Sequence, residues 1–289
     1  MKFVSAKELL QKAEREKYAV GAFNLNNLEW TEYILRACED KKAPAIVEVS
    51  EAQIEYMCGF ATVVNMVKNV ADHIGVSVPI ALHLDHGSYE GAKKAIDAGF
   101  SSVMFDGSKL SFEDNMEKTR ELVRLCKEKG VSIEAEVGSI GGEEDGVIAA
   151  GECADPKECK RIADLGIDFL AAGIGNIHGV YPENWKGLRF DVLESIKAQT
   201  KELPLVLHGG SGIPDDQIKE AIRHGICKIN VNTECCMAFS EKIKAYYLNG
   251  EDQKPKGYDP RIVLKPGMQA VYDKVCEKIA LFGSAGKGK

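Results

Sequence analysis

The 289-residue chain is short of several things, and each shortage removes a class of function. It has no apolar run near the roughly 20 residues that a bilayer-spanning helix needs, so no membrane span is expected. It has no basic excess: the net charge is -7, which argues against a nucleic-acid partner. An anionic substrate would have to be gripped by local donors against a mildly repulsive field. None of the nine cysteines (Cys38, Cys58, Cys126, Cys153, Cys159, Cys227, Cys235, Cys236, Cys276) forms a CxxC pair, and the number is odd. Together with the lack of a signal peptide, this leads us to expect reduced thiols in a cytoplasmic protein. There is no internal repeat, and the only low-complexity stretch is the Gly/Lys tail.

What is present fits one large soluble domain. Hydrophobic residues make up 45% and charged residues 28%, enough apolar material for a sizeable core. Short apolar runs alternate with longer charged stretches of helical period, the pattern of repeated βα units and a parallel sheet. The runs cover Tyr18 to Asn24, Ala45 to Ser50, Pro79 to Asp85, Ser102 to Asp106, Ser132 to Val137, Phe169 to Gly173, Leu205 to His208 and Cys227 to Asn232. Eight such units predict a (β/α)8 TIM barrel spanning 1–289 as a single domain, with a C-terminal helical segment over about 234–289. An open doubly wound sheet satisfies the periodicity equally well. The polar residues decide. The runs end in Asn24, Ser50, Asp85 with His86, Asp106, Glu136, Asn176 with His178, His208, and Asn230 with Asn232. A barrel gathers these ends on one face, whereas an open sheet scatters them.

Four of the six histidines fall at strand ends: His83 and His86 in HLDHG, His178 in GNIHG and His208 in LHGG. Catalytic zinc commonly takes three protein ligands and keeps one position open, and three histidines from separate strands can form that arrangement. His83 and His86 cannot both be assumed to be ligands. The other two, His73 and His224, lie in helical stretches and read as surface or capping residues. Glu134 and Glu136 share strand parity and face inward together, where an unpaired carboxylate is costly, so a metal or a basic partner is implied. GGEEDG, with Glu143 and Glu144, reads either as a solvated turn or as a mobile loop that delivers a general base. HGGSG at 208–212 (Gly209, Gly210, Ser211) and NVNT at 230–233 stand after strands seven and eight, where many barrels hold a phosphate on backbone N–H groups. A lysine Schiff-base mechanism is the rival, because Lys228 shares parity with Asn230 and Asn232. Its place near the start of its strand, and the three strand-end histidines, weigh against it.

HLDHG, SIEAEVG, GGEEDG, GIGNIHG, LVLHGGSGIP and KINVNTE occur in order from about Tyr18 to Gly283, and in this the chain resembles the class II fructose-bisphosphate aldolases. The resemblance implies a catalytic Zn2+ on His86, His178 and His208, with Asp106 and Glu136 at an alternative or second divalent-metal position. It implies Asp85 as the proton donor to the aldehyde oxygen and Glu144 as the base. Asn230 would hold the enediolate, and Gly179, Gly209, Gly210, Ser211, Asn232 and Thr233 the phosphate of the dihydroxyacetone phosphate half, with a monovalent cation (Na+ or K+) as a further possibility. Asn24 and Ser50 belong to the same substrate wall. The DPR at 259–261 is similar to the segment whose arginine reaches the other phosphate from a neighbouring subunit, so Arg261 implies a homodimer or homotetramer.

The expected reaction is reversible cleavage of fructose 1,6-bisphosphate to dihydroxyacetone phosphate and glyceraldehyde 3-phosphate in glycolysis and gluconeogenesis. Tagatose 1,6-bisphosphate is the near alternative, and a non-catalytic sugar-phosphate barrel the distant one. Gln53, Glu55 and Cys58, in SEAQIEYMCG, depart from the smaller or basic residues usual in the family.

Overall fold

In the computed structural model the backbone is described for residues 1–144, 147–149 and 151–289, and the side chains for all residues outside 143–150. The strands are β1 (Val20–Asn24), β2 (Ala45–Val49), β3 (Ile80–Gly87), β4 (Ser102–Phe105), β5 (Ser132–Val137), β6 (Gly141–Glu144), β7 (Val147–Ala149), β8 (Phe169–Ala172), β9 (Ile177–His178), β10 (Leu205–Leu207) and β11 (Ile226–Val231). Eight of them close a parallel barrel in the order β1-β2-β3-β4-β5-β8-β10-β11 and back to β1. Each expected run corresponds to one barrel strand. The remaining three form a small separate sheet, β7-β6-β9.

The barrel strands are buried along nearly their whole length, as strands covered on both faces must be. Between them, polar caps start the helices directly after the strand ends. Asn27 accepts from Trp30 N at the start of Leu28–Asp40, Ser88 from Gly91 N at the start of Tyr89–Ala98, and Ser111 from Asp114 N at the start of Phe112–Lys129. Left-handed glycines end the helices Phe60–Ile74, Tyr89–Ala98 and Phe112–Lys129, at Gly75, Gly99 and Gly130.

One end of the barrel is plugged. The helix Ala6–Glu16 presents Ala6, Leu9, Leu10 and Ala13 to Ala22, Ile46, Ala81, Met104, Phe169 and Val206, forming a second apolar core inside the barrel. Full burial of a Leu or Phe side chain contributes about 1.5–3 kcal/mol, so this floor anchors the barrel from within. The main core lies between the strands and the outer helices.

Candidate active site

At the opposite end the inward positions turn polar. Strand registers align Asn24 with Glu48 and Glu48 with His83, and Glu134 on β5 reaches the same group, its Oε2 3.3 Å from His83 Nε2. Asp85 is next inward on β3 after His83. In a regular strand His86 would then point outward, away from the mouth. It does not, because the β3–β4 register shifts between Leu84 and Gly87, and His86 adopts a left-handed φ of 45°. The bulge re-aims one side chain, so adjacent residues both serve the mouth. Gly87 makes room for it: a Cβ there would come within 2.4 Å of Leu84 and 2.6 Å of the Met104 carbonyl oxygen.

His86, His178 and His208 converge, with ligand nitrogens within 4.8 Å of one another. His86 Nε2 lies 3.0 Å from His208 Nδ1. Two nitrogens bound to one tetrahedral zinc at about 2.0–2.1 Å sit roughly 3.3 Å apart, so the spacing fits the ion with a small outward relaxation. The opposite ring nitrogens are already engaged. His86 Nδ1 lies 3.0 Å from Asp106 Oδ2, and His208 Nε2 lies 2.8 Å from Glu134 Oε1. This is the outer-shell pattern that orients metal-binding imidazoles.

The electrostatics also fit a cation. Burial pushes His178 down to about 3, helped by the neighbouring His86 and His208, and burial likewise lowers His208, which keeps both rings neutral as ligands must be. Burial opposes charge on His86 too, yet Asp85, Asp106 and Glu136 together hold its pKa well above the ordinary value. A field that retains a proton there retains a metal ion instead when one binds.

Of the two histidines of HLDHG, the geometry brings only His86 to the triad. His83 is fully buried below the triad, with Nδ1 at 2.7 Å from Ser102 Oγ, and groups with Glu48 and Asp85 instead. Lys228 does point inward, but its Nζ is ion-paired to Glu134 at 2.9 Å and to Glu48 at 3.3 Å. A lysine held charged in this way is a poor Schiff-base nucleophile. It is the basic partner that the Glu134 carboxylate called for.

A cleft of about 280 Å³ opens beside the triad, lined by Asn24, Asp85, His178, Gly179, Gly209, Ser211, Asn230, Asn232 and Thr233. Asp85 is clamped from both sides: Asn230 Nδ2 donates to Oδ1 at 3.1 Å and Asn24 Nδ2 to Oδ2 at 3.4 Å. Despite burial, the charge of His86, with that of Lys228 behind it, holds the Asp85 carboxyl down at about 2. Gly210 stands behind this wall, its N–H donating to the Asn230 carbonyl. Asp106 and Glu136 group with His86 on the other flank. Ser50 is buried at the cap of the short helix Glu51–Tyr56. Arg261 is 88% exposed and held by Asp259, with no part in this chain's cleft. Glu144 ends β6, and its side chain lies outside the described residues.

The sequence of residues 4–287 matches the family described as fructose-bisphosphate aldolase class-II. The chain is 52% identical over 292 residues to the fructose-bisphosphate aldolase of Streptococcus pyogenes, covering 99% of this chain and 100% of that protein. It is also 52% identical over 286 residues to the one from Mycoplasma pneumoniae, covering 98% and 99%. The chain belongs to the class II fructose-bisphosphate aldolase family. Among solved structures, the YdjI aldolase from Escherichia coli K12 superposes with a TM-score of 0.84 at 30% identity, covering 99% of this chain and 100% of that one.

Within this family pattern, the unusual Gln53 has a structural task. Its Oε1 accepts from Ser50 N, its Nε2 donates to Asn26 Oδ1, and Ser50 Oγ accepts from Gln53 N, a reciprocal capping box tied to the end of β1. Glu55 and Cys58 are exposed.

Sequence reasoning missed Tyr181, whose hydroxyl accepts from Ile177 N and donates to the Gly209 carbonyl, tying the His178 loop to the Gly209 loop. The lone aromatic three residues after GNIH was the available signal. GGEEDG was read as a solvated turn or a mobile loop. Its β6 pairs antiparallel with β7 and parallel with β9, setting Gly142 opposite His178. Gly142 has a left-handed φ of 88°, and a Cβ there would fall 2.1 Å from the His178 carbonyl oxygen.

Proposed function

We propose that this enzyme reversibly cleaves D-fructose 1,6-bisphosphate to dihydroxyacetone phosphate and D-glyceraldehyde 3-phosphate. The observation that carries this reading is the Asp85 carboxylate, clamped by two asparagines beside three converging histidines. His86, His178 and His208 would hold a zinc ion, which would supply Lewis-acid polarisation of the substrate. Asp85, ionised while the site is free of substrate, takes the proton from the hydroxyl on carbon four during cleavage and returns it to the aldehyde oxygen during condensation. Asn230, whose Nδ2 donor already faces the cleft beside Asp85, would present that donor to the enediolate oxygen. Glu144, carried on the β6–β7 hairpin, is the base that acts on the carbon of dihydroxyacetone phosphate.

The phosphate of that half would lie against Gly179, Gly209, Ser211, Asn232 and Thr233, at the N-terminus of the helix Thr233–Leu248, with Gly210 shaping the turn. Asn24 and Ser50 complete the substrate wall, and a Na+ or K+ ion is an additional ligand of the phosphate side. A second divalent position on His86, Asp106 and Glu136 is supported by the Glu136 Oε2 oxygen, buried and without a hydrogen-bond partner among the described residues.

Arg261, exposed on one subunit, would reach the far phosphate of its neighbour, making the working unit a homodimer or homotetramer. The chain acts as one unit over 1–289, its last helix Lys265–Phe282 packed on Leu28–Asp40 and on β1. Work on sugar phosphates in the cytoplasm, without nucleic acid, agrees with the net charge of -7 and with the free thiols of the buried Cys38, Cys126, Cys159, Cys227 and Cys235. Among the described residues no helix is long and apolar enough to cross a membrane.

Assaying the zinc-loaded protein on both ketose bisphosphates tests this reading. The fructose compound should have the higher specificity constant. A higher value for the tagatose compound moves the assignment to that substrate, and no cleavage of either removes the activity.

A further inference from the structure

Beneath the histidine triad, four side chains with no direct place in the cleft are fully enclosed. Lys228 Nζ lies 2.9 Å from Glu134 Oε2, 3.3 Å from Glu48 Oε2 and 3.4 Å from His83 Nε2. The other oxygen of the same glutamate, Glu134 Oε1, lies 2.8 Å from His208 Nε2. A line of contacts thus runs from the lysine through one carboxylate to an imidazole whose far nitrogen, Nδ1, is 3.0 Å from His86 Nε2.

The donor inventory gives this line a direction. A carboxylate paired with a lysine ammonium has only acceptor sites, so the ring nitrogen it meets at 2.8 Å must carry the hydrogen. A neutral imidazole carries one such hydrogen. His208 Nδ1 is therefore left with a lone pair, and Nδ1 is the nitrogen that faces the triad. We infer that Glu134 and Lys228 are positioning residues for the metal: Lys228 anchors Glu134, and Glu134 fixes both the tautomer and the ring orientation with which His208 meets the ion. The inference rests on the reading of His208 as a metal ligand. It gives a specific task to the charged layer, which a barrel built for stability alone would fill with apolar side chains, since burying charge is costly unless it is paired.

The test uses zinc binding and spectroscopy rather than turnover. Zinc affinity is measured by equilibrium competition with a chelator of known strength for the wild type, His208→Ala, Glu134→Gln and the double variant Glu134→Gln/Lys228→Met. The double variant removes one charge of each sign from the buried layer, and its circular dichroism and melting curve report its fold. Long-range 15N–1H spectra of the metal-free wild type, with labelled histidine, report the His208 tautomer. The expected result is an Nε2–H tautomer in the wild type, with zinc held about 10–100-fold more weakly by Glu134→Gln and by the folded double variant. If His208→Ala weakens zinc but Glu134→Gln binds it as the wild type does, the positioning role is overturned while the metal centre stands. If His208→Ala itself binds zinc normally, the ligand assignment falls and the inference with it. An Nδ1–H tautomer in the wild type overturns the inference however the variants fold.

Discussion

The two ends of the barrel interior are made by the same strands with the same inward alternation, yet they are filled by opposite chemistry. At the floor, Ile46, Ala81, Met104, Phe169 and Val206 meet Leu9 and Leu10 of the plugging helix through apolar side chains. At the mouth, Asp85, His208 and Asn230 are buried nearly as completely, and there the cost of burial is offset by hydrogen bonds and ion pairs between neighbours. The difference teaches where this molecule keeps its stability and where it keeps its reactivity. Most of the polar groups at the mouth are held by one another before substrate arrives, and the floor contributes apolar burial instead.

Each prediction tries to break that division. The largest effect should come from metal removal. A strong chelator should abolish cleavage altogether, and zinc or cobalt should restore it, while the far-ultraviolet circular dichroism of the chelated protein stays barrel-like because the floor contains no ligand. Collapse of the fold on chelation would show that the two ends are not separable.

Next comes Asp85→Ala, which should lose about 10²–10⁴ in the cleavage rate while still exchanging a carbon-bound proton of dihydroxyacetone phosphate with deuterated water. Glu144→Ala should lose both reactions. Metal content must be shown to be intact in each, because Asp85 adjoins His86. Retained cleavage with lost exchange in Asp85→Ala would mean that the two roles are reversed.

A floor variant should do the opposite. Leu10→Ala, at a fully buried side chain, should cost about 2–5 kcal/mol of stability in denaturant melts, with kcat/KM per folded molecule nearly unchanged. A large loss of activity at full folding would join the ends that the structure keeps apart.

The smallest effect concerns a carboxylate beneath the floor. Glu14 is buried, which works against its charge, but Cys227 Sγ at 3.0 Å, Lys197 at 3.0 Å and Lys17 at 3.1 Å hold its pKa below the ordinary 4.5. A carboxyl lowered by folding stabilises the native state above its unfolded value. The advantage of wild type over Glu14→Gln should therefore be about 1.5–3 kcal/mol at pH 7 and shrink as the pH falls through 4.5 and below. An advantage that persists at low pH would assign it to packing instead.

The strands were legible because each is a continuous apolar run, and the convergence of their polar ends was legible because a barrel permits no other arrangement. The corner at Asp85 and His86 was not legible from periodicity: alternation puts neighbours on opposite faces, and only the bulge and a left-handed residue bring them together. The family motifs named both residues without supplying that reason. His178 was read at a strand end, but it lies beyond β8 on a two-residue strand of the small sheet, held by pairing with β6. Strands this short, rich in glycine, carry no alternation to read. The pairing of Lys228 with Glu134 was half legible, since parity pointed both inward but could not say that they meet.

The left-handed turn of the chain at His86 also restricts the alphabet available to the metal centre. That backbone shape is several-fold enriched in asparagine, aspartate and histidine among residues with a side chain, and a β-branched residue adopts it only under strain. Exchanging this ligand for aspartate would change the chemistry of the ion at little conformational cost. Exchanging it for threonine would burden the backbone as well as the coordination. The ligand sets open to descendants of this barrel are thus narrowed by a torsion angle before any preference of the metal is consulted.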